Sequence, residues 1–99
     1  MAPSRSTTLL ILGASGDLTS RLLLPGIATL LRSQPSRRVE IVGADLRELA
    51  AGDWHDRVRT ALNVGGAQGA AAKSVLSSTR YVSTDATDPV ALRALLDSI

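Results

Sequence analysis

The ten residues Leu9-Leu10-Ile11-Leu12-Gly13-Ala14-Ser15-Gly16-Asp17-Leu18 limit what this chain can fold into more than any other stretch. Thr7 to Leu12 is β-branched and apolar at successive positions, so both of its faces seek burial, as in a parallel strand covered on two sides. Gly13 to Gly16 is then a tight turn. From Asp17 to about Arg32 the apolar positions Leu18, Leu22, Leu23, Ile27, Leu30 and Leu31 recur at spacings of three and four, which is the period of a helix. Pro25 removes an amide donor inside that helix and crowds the turn before it, so a kink is expected there. Ser33-Gln34-Pro35-Ser36 ends the helix.

The pattern then repeats. Val39 to Ala44 reads as a second strand, with Asp45 at its carboxyl end. A helix follows from about Ala50 to Asn63, with Trp54, Val58, Ala61 and Leu62 on one stripe. Val64 to Gly69 is a loop, and Ala70 to Leu76 a short helix. Arg80 to Thr84 is a third strand. Asp88-Pro89 opens a last helix, because proline at the first helical position gives up no needed donor. Leu92, Leu95, Leu96 and Ile99 are its expected buried face, and the chain should stop within that helix. The order βαβαβα implies an α/β fold with parallel strands and right-handed crossovers. It is a Rossmann-type parallel sheet, one half of a doubly wound dinucleotide-binding domain. The strand that should flank the first one would come later in sequence. Residues 1–99 are therefore expected to be the N-terminal part of a dinucleotide-binding Rossmann domain, a fragment of a longer protein.

Composition removes several classes of function. There is no cysteine, hence no disulfide framework and no thiolate ligand or nucleophile. The one histidine, His55, leaves no histidine-built metal site and no Ser-His-Asp triad, so no metal is expected. Apolar runs are of strand length, far below the roughly 18 residues of a membrane span. Arg5 precedes a run too short for a signal-peptide core. A soluble, cytoplasmic chain without a membrane partner is the expectation. The net charge is only +2 and the ten arginines are interspersed with acids. With one Trp and one Tyr there is no basic and aromatic surface for nucleic acid.

Gly13-Ala14-Ser15-Gly16-Asp17-Leu18 carries the chemistry. At the start of a helix, amide groups and the helix dipole favour an anion. Gly13 permits the sharp turn, and Gly16 lets a pyrophosphate approach the backbone. Ser15 and Leu18 stand where the G-x-G-x-x-G fingerprint has its second and third glycines, so the strict fingerprint is not met. No G-K-[ST] follows, so it is not a Walker loop. A strand-to-helix turn that binds nothing is the bland alternative. At the end of the second strand, Asp45 and Arg47 occupy the corner where such folds read the adenosine ribose. A carboxylate there accepts from the hydroxyls and repels a 2′-phosphate; an arginine does the reverse. In the bland alternative Asp45 is a turn residue and Arg47 is solvated.

Leu12-Gly13-Ala14-Ser15-Gly16-Asp17-Leu18-Thr19, followed by Arg21 and Pro25, resembles the opening motif of the glucose-6-phosphate dehydrogenase family. Glu40-Ile41-Val42-Gly43 resembles its second strand, and Arg80-Tyr81 through Asp88 its third, so the resemblance spans the whole chain. It implies an oxidoreductase of the pentose phosphate pathway that passes a hydride from C1 of a sugar phosphate to NADP, or to NAD. Gly13, Ala14, Ser15, Gly16, Asp17 and Leu18 would hold the pyrophosphate. The family's arginine for the 2′-phosphate aligns at Leu46, with Arg47 one place on, and Asp45 stands where a small residue is common. Its lysine near the sugar phosphate aligns at Leu22. The family's catalytic histidine lies in a later part of the chain, and His55 is not that residue. The resemblance implies a sugar-phosphate substrate and a homo-oligomer for the full-length enzyme, with this segment alone inactive. A non-catalytic dinucleotide-binding sensor domain of the short-chain-reductase type is the alternative.

Overall fold

The computed structural model describes residues 6–34, 37–67 and 69–99. Pro35 and Ser36, expected to end the first helix, lie outside the described residues, as do Arg5 and Gln68. Three strands, β1 (Ser6–Leu12), β2 (Arg38–Asp45) and β3 (Arg80–Ser83), form one parallel sheet in the order β1-β2-β3. Thr7 lies opposite Val39, Leu12 opposite Ala44, and Gly43 opposite Tyr81. The helices are α1 (Leu24–Ser33), α2 (Ala51–Val64), α3 (Gly69–Ser78) and α4 (Pro89–Asp97).

Successive strand residues face opposite sides of the sheet, so Ile41 and Val42 enter different cores. Ile11, Val39 and Ile41 meet Leu24 and Leu31 of α1, Trp54, Val58, Ala61 and Leu62 of α2, and Val75 of α3. On the other face Val42 and Ala44 meet Leu95 of α4, with Leu10 and Val82 at the margin. The fourth helix thus changes sides, as the doubly wound plan requires of the crossover that leaves the first three strands. The expected α2 stripe is buried throughout. Asp88 caps α4 by accepting from the Val90 amide at 3.0 Å, with Pro89 in the first turn.

The kink expected near Pro25 is a π-helical segment, Thr19–Leu23, in which the Leu24 amide donates to the Thr19 carbonyl. The wide turn absorbs the proline that follows it, and it also shifts the buried face. Thr19, Leu24, Ala28 and Leu31 point inward, whereas Leu18, Leu22 and Leu23 are 64, 62 and 51% exposed. The i, i+3, i+4 stripe read from the sequence is therefore corrected: a five-residue step lies inside it, and straight-helix counting places the early leucines on the wrong side. Likewise only Leu95 of the expected α4 face is buried. Leu92 is half-buried, while Leu96 and Ile99 are exposed because α4 covers only the β2 and β3 side. The last helix also closes within the chain, at Asp97, with the Ser98 amide bonded to the Ala94 carbonyl at 3.2 Å.

Candidate dinucleotide site

The site begins where β1 ends. The Ala14 amide donates to the Ala44 carbonyl at 3.1 Å, carrying the β1–β2 ladder one residue into the turn and leaving Ala14 fully buried. Gly13 takes φ +73°, a left-handed conformation that glycine adopts without a Cβ clash. The Gly16 amide then closes the turn on the Gly13 carbonyl at 3.0 Å, and the Thr19 hydroxyl reaches the same oxygen at 3.4 Å. A Cβ on Gly13 would meet nothing within 4 Å, and one on Gly16 would meet only that carbonyl, at 3.1 Å. The turn therefore presents bare backbone. Asp17 and Leu18 open the helical segment, and the first amides of a helix have no acceptor within it. The Leu18 side chain is exposed, and Asp17 pairs with Arg21 at 2.7 Å in an exposed ion pair.

β2 brings the second part. Asp45 is the last residue of that strand, and its carbonyl accepts from the Thr84 amide at 2.8 Å, carrying the β2–β3 ladder one residue past Ser83. Asp45 Oδ2 accepts from the Ser15 hydroxyl at 2.6 Å and from the Ser15 amide at 3.2 Å; Oδ1 accepts from the Leu46 amide at 2.8 Å. The Ser15 hydroxyl foremost, with the backbone amides adding and partial burial opposing, holds this carboxyl below the ordinary aspartate range. Ser15 and Asp45, thirty residues apart, thus form one constellation. Arg47 joins it only through its backbone: its carbonyl accepts from the Tyr81 hydroxyl, and its side chain is exposed without an ion pair among the described residues. Burial, first, and the nearby Asp45 charge push the Tyr81 hydroxyl upward. A depression of about 480 Å³ lined by Glu48, Leu49, Ala50, Tyr81 and Ser83 adjoins Arg47.

Arg57, which the sequence reading does not single out, turns its guanidinium to the Ser15 carbonyl, Nη1 to O 3.0 Å, so α2 braces the turn with a cation. The only signal was position, one helical step from the buried Trp54. Asp53 sits in the first turn of α2, and Asp56 pairs with Arg59 on the exposed face. His55 is half-buried, with Nε2 against the Leu76 carbonyl of α3 and Nδ1 3.4 Å from Arg59. Trp54 and Tyr81 pack on each other, ring centroids 5.6 Å apart, as interior residues. Among the described residues no cluster of acids and histidine could hold a metal, and no helix is long and apolar enough to cross a membrane.

Residues 10–99 match the family model described as glucose-6-phosphate dehydrogenase, NAD binding domain. The fold is shared with a glucose-6-phosphate 1-dehydrogenase from Mycobacterium avium, at 23% identity and TM-score 0.68, over 98% of this chain and 21% of that one. It is shared equally with a glucose-6-phosphate dehydrogenase solved in complex with its substrate glucose-6-phosphate, at 23% identity and TM-score 0.72, over 99% of this chain and 21% of that one. The chain thus spans about a fifth of the length of these two enzymes. Comparison of the sequence with curated proteins finds no match.

Proposed function

The chain belongs to the glucose-6-phosphate dehydrogenase NAD-binding domain family, and on that premise we propose that it is the dinucleotide-binding segment of a sugar-phosphate dehydrogenase. The observation that carries this reading is the bare glycine turn at the β1–helix junction, joined to a strand-end carboxylate by Ser15. These residues fit a nicotinamide dinucleotide. The amides that open the helix at Asp17 and Leu18 would hold its pyrophosphate, and Gly13 and Gly16 would leave room for it. Asp45, with Arg47 beside it, would read the adenosine ribose of NADP or NAD. When bound, the dinucleotide supplies the hydride acceptor; this chain's residues bind and orient it.

Oxidation of C1 of a sugar phosphate, as in the pentose phosphate pathway, is proposed for the cytoplasmic, homo-oligomeric parent. This segment alone binds without turnover. An alcohol oxidation needs a base at the reacting carbon, and His55 is held against α3 by the Leu76 carbonyl. Leu22, exposed where the resemblance places a lysine, cannot pair with a phosphate, so the substrate clamp comes from other parts of the parent.

Calorimetric titration of the chain with NAD and NADP tests this reading. Binding of either, competed by adenosine nucleotides and weakened roughly 30-fold or more by Gly16→Val, is expected, with no nucleotide reduction when glucose 6-phosphate is added. Absence of binding by both cofactors overturns it.

A further inference from the structure

Resting on that dinucleotide reading, we propose that the Ser15–Asp45 pair makes this site a reader of NAD and an excluder of NADP. The carboxylate stands at the end of β2, tied through Oδ2 to the residue in the middle of the phosphate turn. A dinucleotide whose pyrophosphate lies on that turn brings its adenosine ribose to the end of the second strand. There the free 2′-hydroxyl of NAD meets acceptors. Oδ1 of Asp45 takes one well-formed bond, from the Leu46 amide, and the Ser15 oxygen, already donating its proton, keeps its lone pairs.

A 2′-phosphate in the same place would set a second anion against a carboxylate that has no ion-pair partner among the described residues. The ion pairs among the described residues are Arg21–Asp17, Arg59–Asp56 and Arg93–Asp97, and none involves Asp45. Neither nearby arginine pairs with Asp45: Arg57 directs Nη1 to the neutral Ser15 carbonyl, and the Arg47 backbone is fixed by Tyr81 while its side chain lies in solvent. An exposed arginine in high dielectric compensates poorly for a charge held in place by three hydrogen bonds. The Ser15 donor also cannot serve a phosphate without releasing Asp45, so a 2′-phosphate gains no new donor there.

The experiment is a paired calorimetric titration of the full chain with NAD against NADP, and with 5′-AMP against adenosine 2′,5′-bisphosphate. NAD is expected to bind about tenfold or more tightly than NADP, the scale on which like charges discriminate at an interface. The same preference for 5′-AMP locates the effect in the ribose corner. Asp45→Asn, which keeps the shape and an acceptor oxygen but removes the charge, should bring the NAD to NADP ratio towards one. Equal or tighter NADP binding by the unmodified chain overturns the inference while leaving the dinucleotide reading intact. So does a ratio unchanged in Asp45→Asn, or an NADP preference that vanishes in Arg57→Met. Failure of both cofactors to bind overturns the reading and this inference together.

Discussion

The Ser15 hydroxyl lies 2.6 Å from Asp45 Oδ2, so one short hydrogen bond ties the turn after β1 to the end of β2. Its consequence is a pH dependence with a defined sign. Asp45 is held below the ordinary value of 3.8 in the folded chain, chiefly by that hydroxyl. A depressed carboxyl binds fewer protons folded than unfolded. Its contribution to stability is therefore present above pH 3.8 and drains away as pH falls below that value. Asp85, held down by the hydroxyl and amide of Thr87, acts in the same sense. Ser15→Ala should move the Asp45 titration, followed by its carboxyl carbon-13 shift, back up towards 3.8, and acid unfolding should begin at higher pH. A titration that stays where it was would show that the hydroxyl does not govern the carboxylate.

Gly43 and Gly26 should respond in opposite directions to the same added methyl. At Gly43, in the middle of the sheet, a Cβ would lie 2.8 Å from the Trp54 ring and 2.9 Å from the Ala14 Cβ. At Gly26, exposed in the first turn of α1, it would meet nothing. Gly43→Ala should cost about 1–3 kcal/mol from overpacking, and because Trp54 and Ala14 lie beneath the turn it should also weaken cofactor binding. Gly26→Ala should stabilise by about 0.4–1 kcal/mol, through the unfolded chain and helix propensity. Urea unfolding of the two variants checks both signs.

Much of this was legible in the residues, and the failures have physical causes. The strand-turn-helix at Leu9 to Leu18, the α2 stripe and the Asp88-Pro89 start are local signals, set within a few residues of one another, and each stands in the fold as read. The π-helical turn before Pro25 was not legible as such. Sequence shows that a proline disturbs a helix, but not whether the backbone answers by bending or by widening, and that choice decided where Leu18, Leu22 and Leu23 point. Arg57 on the Ser15 carbonyl and Tyr81 on the Arg47 carbonyl are contacts across 42 and 34 residues. Such contacts depend on how α2 and β3 dock, which no periodicity encodes. Asp45 was placed correctly at the strand end, but its engagement with Ser15 needed the geometry.

A part-buried relay from Trp54 through Thr79 to β2 gives a further test. The Trp54 indole donates to Thr79 Oγ1 at 3.0 Å, and Thr79 donates on to the Ile41 carbonyl at 2.8 Å. Thr79→Val keeps the shape and leaves a buried indole N–H and a strand carbonyl without that partner, which should cost about 1–3 kcal/mol. Trp54 is the sole tryptophan and is buried. Its emission should therefore be blue-shifted when folded and report the loss directly, as a lower urea midpoint at unchanged slope. An unaltered midpoint would mean that water or a neighbour replaces the hydroxyl at no cost.

Leu12, Leu18, Leu22 and Leu23 are each at least half exposed, and β1 lies at the edge of the sheet. An open parallel edge beside apolar surface promotes association. The chain in isolation should show a concentration-dependent mass above its 10.3 kDa by sedimentation, reduced by Leu22→Glu with Leu18→Glu. A single monomeric species with a sharp, cooperative melt at all concentrations would show instead that the three-stranded unit is self-sufficient.

Gly16 gives the sharpest separation of folding from binding. A Cβ there would press on the Gly13 carbonyl at 3.1 Å, a contact that a small adjustment of the turn relieves. Gly16→Ala should therefore cost well under about 1 kcal/mol of stability, within the range of tolerated small insertions. Valine adds two further methyls to a surface that is otherwise bare backbone, where the pyrophosphate would have to lie. Lost amide contacts and steric exclusion together should weaken dinucleotide binding by on the order of 2–4 kcal/mol, roughly 30- to 1,000-fold. The alanine variant should fall in between, and Gly26→Ala should bind as the unmodified chain does. Titrating the series with NAD while recording urea midpoints distinguishes the cases. If the valine variant keeps its affinity, the phosphates do not lie on this turn. If it loses affinity and stability in equal measure, the turn has collapsed rather than been blocked.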